Sequence, residues 1–203
     1  MEQQDSRRDR RLIAAFDFDG TLTTKDTLFE FLLFYFPLSR LAAGFALLSP
    51  MLLLYKLKVI SNNEAKERLF RYFFNGTEIN GFNQKCREFA AGIEKLLRPE
   101  AIAKLKWHQE SGHQLVIISA SPENWILPWA GQYGVKVLAT KLEVVNGHIT
   151  GKFLTNNCYG GEKVVRLLSE FPDRGNYGLY AYGDSNGDKE LLAAADFKFY
   201  RSF

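Results

Sequence analysis

The sequence predicts an α/β protein built on an open parallel sheet, with a helical insertion and a β-hairpin. Continuous apolar runs, typical of strands buried on both faces, alternate with amphipathic helical patterns. The predicted strands cover 12–16, 115–118, 178–182 and, at one edge of the sheet, 197–200. The predicted helices cover 100–110, 162–170 and 187–195. This alternation favours right-handed crossovers between neighbouring parallel strands.

The segment 143–150 breaks the alternation of strands and helices. Asn146-Gly147 stands there between two β-rich runs, which is a strong short-range signal for a hairpin. We therefore predict a β-hairpin inserted into the α/β layer.

Residues 27–97 carry helical patterns and no convincing strand, so they predict a separate helical unit above the sheet. Ser61 and Glu64 have the spacing of a capping box and predict a helix that runs to about Phe74. The predicted domains are a core of residues 1–26 and 98–203 and a cap of residues 27–97.

The stretch 28–60 inside this unit is mostly apolar and has no acidic residue between Glu30 and Glu64. After Glu30 its charged residues are all basic: Arg40, Lys56 and Lys58. Pro37 and Pro50 divide it into pieces that we expect to be shorter than the ~20 residues of a membrane span. Two interpretations stay open: an apolar helix pair packed inside the cap, or an interfacial surface that contacts an anionic bilayer.

The composition excludes several classes of protein. The 203 residues are 46% hydrophobic and 24% charged, with a net charge of +3, which is unlike a disordered chain. No strongly basic stripe is present, so we do not expect nucleic-acid binding. Cys86 and Cys158 form neither a metal nor a redox pair and fit a reducing cytosol. Residues 1–10 mix both charges and predict a solvated tail, not a signal peptide.

Two acidic clusters follow predicted strands. Asp17 and Asp19 end the first strand, and Asp184 and Asp188 follow the strand at 178–182. Ligands of open α/β sheets bind at the carboxyl ends of the strands, so these acids predict a site there. Neither cluster has glycine at the sixth position and glutamate at the twelfth, as a calcium-binding EF-hand loop requires. Carboxylates gathered at one edge repel each other unless a cation lies among them, and oxygen ligands favour Mg²⁺.

Two further residues suit a phosphate group. Ser119 ends the strand at 115–118, just before a predicted helix, and a hydroxyl beside a helix N-terminus favours phosphate. Lys163 lies at another helix start, where a compact cation can balance phosphate and carboxylate charge. Their placement among the acids predicts a phosphate site beside the cation.

These motifs resemble those of the haloacid dehalogenase superfamily of phosphohydrolases, over nearly the whole chain and in the family's order. The first motif resembles 17–21, the second Ser119, the third Lys163 and the fourth 183–188. The helical insertion resembles the C1 cap of the phosphoserine-phosphatase-like branch, subfamily IB. The resemblance implies a Rossmann-like core under a C1 cap.

The resemblance also implies Mg²⁺-dependent hydrolysis of a phosphomonoester through an aspartyl-phosphate. It assigns the nucleophile to Asp17 and the acid–base role to Asp19, whose presence distinguishes phosphatases from dehalogenases. Ser119 and Lys163 would hold the phosphoryl group. The residues implied at the metal are Asp17, Asp19 through its backbone carbonyl, Asp184 and Asp188, the last orienting Lys163 or a metal-bound water.

Departures from the family pattern bear on the substrate. Gly20 stands where phosphoserine enzymes typically carry serine, and Asp26 matches their cap glutamate only loosely. The apolar stretch is more similar to phosphatidylglycerophosphate phosphatases. We expect a phosphorylated small molecule or a lipid phosphate as substrate. We expect the protein in the cytoplasm, and, if the apolar stretch contacts a bilayer, at the inner face of the membrane. A phosphomutase and a non-catalytic membrane-associated module are the alternatives.

Overall fold

The computed structural model describes residues 11–203, so the predicted tail of residues 1–10 lies outside it. The strands in chain order are β1 (Arg11–Phe16), β2 (Gln114–Pro122), β3 (Lys136–Thr140), β4 (Leu142–Val145), β5 (His148–Phe153), β6 (Tyr177–Gly183) and β7 (Phe197–Tyr200). Five of them form a parallel sheet in the order β3-β2-β1-β6-β7. The predicted α/β class and the four predicted strands are confirmed. Strand β3 was not predicted, because its short run begins with a charged residue and shows no clear period.

Eight α-helices lie within the described residues. They are α1 (Thr27–Tyr35), α2 (Leu38–Lys56), α3 (Asn62–Phe74), α4 (Ile79–Ala90), α5 (Pro99–Glu110), α6 (Glu123–Ala130), α7 (Gly161–Glu170) and α8 (Lys189–Ala194). Helices α1 to α4 make up the inserted cap. A short 3-10 helix, Asn186–Asp188, precedes α8, so the predicted helix over 187–195 is realised in two parts.

The register of the sheet brings the candidate residues to one edge. Phe16, the last residue of β1, pairs with Ile117 of β2 and with Tyr182 of β6. The loops that follow these three strands therefore emerge side by side. The loops after β1 and β6 carry Asp17 and the acids after Gly183, and the last residues of β2 include Ser119 and Ser121.

Buried side chains cover both faces of the sheet. Alternate residues of β1 point to opposite sides, with Phe16 in the cluster that reaches the cap and Ala15 in the cluster under the other face. Phe31 of the cap stacks on Trp125 of α6 at a centroid distance of 4.7 Å, and both rings are fully buried. Each such aromatic contributes about 2 kcal/mol through its buried area. Apolar packing thus holds the cap on the core.

The predicted hairpin is confirmed, but its place in the fold differs from the prediction. Asn146 and Gly147 both have positive φ, as a tight hairpin turn requires. Strands β4 and β5 form a two-stranded sheet of their own, which packs against helix α3 of the cap. At Gly151, a Cβ would lie 2.3 Å from the Cα of Arg71, so only glycine lets the hairpin approach α3 so closely. The hairpin therefore braces the cap.

Pro50 does not interrupt helix α2, contrary to the prediction from the sequence. The helix runs unbroken over 19 residues. Pro50 has no N–H to donate to the carbonyl of Ala46, and the hydroxyl of Ser49 donates to that carbonyl instead, at 2.8 Å. By length and composition α2 could cross a membrane, and only 17% of its most apolar window is buried in the protein.

Candidate active site

Asp17 leaves the sheet at the carboxyl end of β1. Its backbone N–H donates to the carbonyl of Tyr182 at 2.9 Å, which fixes the residue to the neighbouring strand. Its side chain is buried and accepts a hydrogen bond from the Lys163 ammonium at 2.6 Å. Lys163 lies in the first turn of α7. The two predicted residues are therefore in direct contact across 146 positions of sequence.

Lys163 also contacts Asp188, with 2.5 Å between its Nζ and Oδ1. Burial disfavours the Lys163 ammonium, but Asp17 and Asp188 outweigh that effect and raise its pKa. Lys163 therefore carries a positive charge within the buried site. The second oxygen of Asp188 accepts hydrogen bonds from the hydroxyl and the N–H of Ser185 and from the N–H of Asp184.

Asp17, Asp184 and Asp188 each offer a carboxylate oxygen, and the three oxygens lie within 4.8 Å of one another. Thr21 donates to Asp184 at 3.4 Å. Gly20 has φ +78, and a Cβ there would lie 2.5 Å from Asp184 Oδ2. The glycine thus lets the first acidic loop pass directly against the second.

The cluster fits a divalent cation. Burial raises the pKa of Asp17 to about 7, Lys163 opposes this shift, and Asp188 and Asp19 add to it. Burial and Asp188 also raise the pKa of Asp184. These crowded carboxylates repel one another when they are ionised. A hard cation bound among them would stabilise their ionised forms, and carboxylate oxygens suit Mg²⁺.

Asp19 is held by a separate set of hydrogen bonds. Its Oδ1 accepts from the backbone N–H of Thr27 at 2.6 Å and from the Thr27 hydroxyl at 2.5 Å. Its Oδ2 accepts from the hydroxyl of Ser121 at 2.6 Å and from that of Ser119 at 3.4 Å. The Ser119 hydroxyl also accepts from the N–H of Ser121. All six predicted site residues therefore lie at the same edge of the sheet.

Three residues of this site were not predicted from the sequence: Thr27, Ser121 and Lys66. Ser121 lies two residues beyond Ser119. Its hydroxyl, next to a predicted site residue, was the only feature of the sequence that could have indicated its contact with Asp19. Thr27 is the first residue of α1, and its position at a helix start does not by itself indicate a contact with Asp19. Lys66 lies in the cap helix α3 and donates to the carbonyl of Ala120 at 3.1 Å, a contact between distant segments that no motif announces.

A cavity of about 340 Å³ opens in front of these residues. The core side carries Asp17, Asp19 and Lys163, and the cap side carries Asp26 and Lys66. Burial lowers the pKa of Lys66, while the charges of Asp19 and Asp26 oppose that shift. The cavity between cap and core is thus lined by acids, hydroxyls and three lysines, the third being Lys25.

A model of the haloacid dehalogenase-like hydrolase family matches residues 14–193. The chain is a haloacid dehalogenase-like hydrolase. It is 39% identical over 198 residues to protein CicA of Caulobacter vibrioides, covering 95% of this chain and 86% of that protein.

Solved structures share the fold of this hydrolase. A protein of unknown function from Bordetella pertussis Tohama I superposes with a TM-score of 0.76 at 22% identity, over 91% of this chain and 87% of that one. A phospho-aspartyl intermediate analogue of phosphoserine phosphatase superposes with a TM-score of 0.65 at 15% identity, over 94% and 86% of the two chains. The expected α/β core with its helical cap is therefore the fold of the phosphoserine-phosphatase-like branch.

Proposed function

We propose that this hydrolase is a Mg²⁺-dependent phosphatase that cleaves a phosphomonoester through an aspartyl-phosphate on Asp17. This proposal rests on the contact between Asp17 and Lys163. The carboxylates of Asp184 and Asp188 lie beside that contact, and Asp19 lines the same cavity. A buried carboxylate next to a fixed ammonium can attack a phosphorus whose oxygens the same ammonium binds.

The chemistry needs two steps. In the first, an oxygen of Asp17 forms a bond to phosphorus, the bond to the ester oxygen breaks, and Asp19 gives that leaving oxygen a proton. In the second, Asp19 takes a proton from water, whose oxygen attacks the phosphorus and releases phosphate from Asp17. Ser119 and Lys163 bind the phosphoryl oxygens in both steps.

The metal ligands we propose are the carboxylates of Asp17 and Asp184 and the backbone carbonyl of Asp19, with Asp188 beside them. Bound Mg²⁺ supplies positive charge that neutralises the non-bridging phosphoryl oxygens. Both oxygens of Asp188 already accept hydrogen bonds from the protein. This arrangement favours Asp188 as the residue that orients Lys163 and the loop after β6.

The substrate we propose is the head-group phosphate of a membrane lipid, such as phosphatidylglycerophosphate. Helix α2 supports this, because its exposed side is apolar and its charged residues are basic. The helix cannot cross a bilayer by itself, since Asp19 before it and Ser121 after it are hydrogen-bonded to each other. A helix lying in an anionic interface meets both conditions. A soluble phosphatase of the phosphoserine type remains the alternative.

A phosphate-release panel tests both the phosphatase activity and the lipid substrate. Purified protein is given phosphoserine, sugar phosphates, nucleotides, p-nitrophenyl phosphate and a micellar lipid phosphate, with Mg²⁺ and with excess EDTA. We expect release that EDTA abolishes and that Asp17→Asn eliminates, highest on the lipid phosphate. No release from any phosphomonoester would refute the phosphatase, and a preference for a soluble substrate would refute the lipid assignment.

A further inference from the structure

A second groove adjoins the catalytic cavity at the C-terminal end of α2. Its volume is about 590 Å³. Asn62 and Tyr159 line both the groove and the catalytic cavity, so the two spaces adjoin at these side chains. A substrate whose phosphate lies at Asp17 can therefore extend past these two side chains into the groove.

The groove is basic. Lys56 and Lys58 line it, and none of the described residues that line it is acidic. Within residues 11–203, neither of these two ammonium groups forms an ion pair. Two uncompensated cations beside the catalytic cavity attract an anionic group.

The backbone at Lys58 is unusual for a lysine. Helix α2 ends with hydrogen bonds from Lys58 N–H to Tyr55 O and from Val59 N–H to Leu54 O, both 2.9 Å. This is the hydrogen-bond pattern of a Schellman motif, whose left-handed position is usually glycine. Lys58 occupies that position with φ +59. Non-glycine residues held in this conformation concentrate at binding sites, and here the residue adds charge beside the groove.

Two tyrosines, Tyr55 and Tyr159, also line the groove, together with small polar and aliphatic side chains. The Asn62 amide donates to the hydroxyl of Tyr55 at 2.8 Å, which fixes the end of α2 against the start of α3. Tyr159 faces Tyr55 from the core: burial raises the pKa of Tyr159, and Tyr55 raises it further. The groove thus presents two lysines and two tyrosine rings along the route out of the catalytic cavity.

We propose that this groove binds a second anionic group of the substrate, at the end remote from the phosphomonoester. The inference rests on the proposed phosphatase function and adds a substrate class to it. That class is phosphomonoesters that carry a distant second phosphate or carboxylate.

A series of alkanediol phosphates tests the proposal. Each bisphosphate is compared with the monophosphate of the same chain length, over chains of increasing length. Two identical reactive ends double kcat/KM by statistics alone. Once the chain spans the distance to the groove, we expect the bisphosphate to exceed the monophosphate by about tenfold, as a charge-assisted contact allows. Alkyl phosphates with a terminal carboxylate show whether the groove accepts any anion or phosphate alone.

Variants locate the effect. In Lys56→Gln/Lys58→Gly the charges are lost while glycine suits the left-handed position, so the thermal midpoint should not fall. We expect its bisphosphate preference to fall to the statistical value. Lys152→Gln, which removes one exposed lysine on β5, is the control and should keep the preference.

The outcomes distinguish a failure of the proposed phosphatase function from a failure of the proposed anion site. If no phosphomonoester is hydrolysed, the proposed function fails. If monophosphates are hydrolysed and bisphosphates of every length gain only the statistical factor, the phosphatase stands and the groove is not an anion site. A preference that survives in the Lys56/Lys58 variant, or that Lys152→Gln removes equally, also overturns the inference.

Discussion

Asp19 is oriented by groups from two distant parts of the chain. Thr27 belongs to the cap, Ser121 and Ser119 to the end of β2, and all donate to the Asp19 carboxylate. The indole N–H of Trp125 donates to the Thr27 hydroxyl at 3.1 Å and fixes it in turn. The acid–base residue we propose is therefore held by both domains at once.

Replacing Asp19 by asparagine should slow turnover by about 10²–10⁴, the usual range for loss of an acid–base group. Alkyl phosphates should suffer more than p-nitrophenyl phosphate, because nitrophenolate leaves without protonation. Steady-state rates on both substrates measure the difference. Equal losses on the two would contradict the acid role.

Replacing Thr27 by valine should reduce kcat by about tenfold, since it removes a hydrogen bond to a charged group. Valine keeps the shape of the side chain but leaves the Trp125 indole N–H without its partner, so the thermal midpoint is measured to separate a loss of stability from a loss of activity. The loss should again be larger on alkyl phosphates than on p-nitrophenyl phosphate. A uniform loss, or a rise in KM alone, would mean that Thr27 acts on substrate binding and not on Asp19.

His108 should make the fold sensitive to acid. It is fully buried on α5, and its ring nitrogens contact His113 Nδ1 at 2.6 Å and the Tyr182 hydroxyl at 2.9 Å. Burial, with the charges of His113 and Lys104, lowers its pKa to about 4. The unfolded chain takes up this proton near pH 6.5 and the folded chain only near pH 4, so stability is lost as pH falls between these values, by up to about 3 kcal/mol.

Chemical denaturation at several pH values measures this effect. In His108→Gln the free energy of unfolding should fall less steeply between pH 6.5 and 4 than in the unaltered protein. The comparison of slopes removes the contribution of carboxylates, which both proteins share. Parallel slopes would show that His108 does not carry the dependence.

At the scale of elements, β1, β2 and β6 were predictable because burial on both faces leaves unbroken apolar runs, whereas the partly exposed β3 was not. The path of α2 was not predictable, because it depends on how the Ser49 hydroxyl replaces the missing donor of Pro50. The hairpin was recognisable from Asn146-Gly147, yet its packing on α3 depends on a contact at Gly151 between distant segments. The acids and Lys163 were recognisable from motifs, whereas Thr27 and Lys66 enter the site only through tertiary contacts.

Helix α2 should bind anionic vesicles. Leu47, Leu53 and Leu57 are 67%, 56% and 63% exposed, so changing them to serine removes apolar surface and little core packing. We expect the triple variant to co-sediment less with vesicles that contain anionic lipid and to lose activity on a lipid phosphate. Hydrolysis of p-nitrophenyl phosphate should persist, because none of the three lines the catalytic cavity.

The matched control for α2 is Val165→Ser/Leu168→Ser. These residues are also exposed apolar side chains, but they lie on α7 in the core. The control should bind vesicles as the unaltered protein does, and binding should weaken as salt rises. If the unaltered protein never binds vesicles, or the control loses binding equally, α2 is not a membrane contact.

In the whole molecule, cap and core are fastened along α3. The backbone N–H of Asn157 donates to Asn63 at 3.0 Å, and its side-chain amide donates to Asn62. The side-chain Oδ1 of Asn157 in turn accepts from the hydroxyl of Thr140, the last residue of β3. Lys66 adds its bond to Ala120 beside the catalytic serines. The cap is thus tied to the sheet edge that carries the site, and the cavity between them depends on these bonds.

Replacing Asn157 by leucine should loosen this fastening. Leucine has a similar volume, but it leaves Thr140 and Asn62 without the side-chain partner that Asn157 provides, which should cost about 1–3 kcal/mol in the free energy of unfolding. Because the lost bonds join α3 to the core, amide hydrogen exchange should accelerate most in α3 and least in β1. Asn156→Leu, an exposed neighbour, should change neither quantity. Faster exchange spread evenly over the chain would mean that Asn157 stabilises the core alone, and that apolar contacts such as Phe31 with Trp125 are sufficient to hold the cap in place.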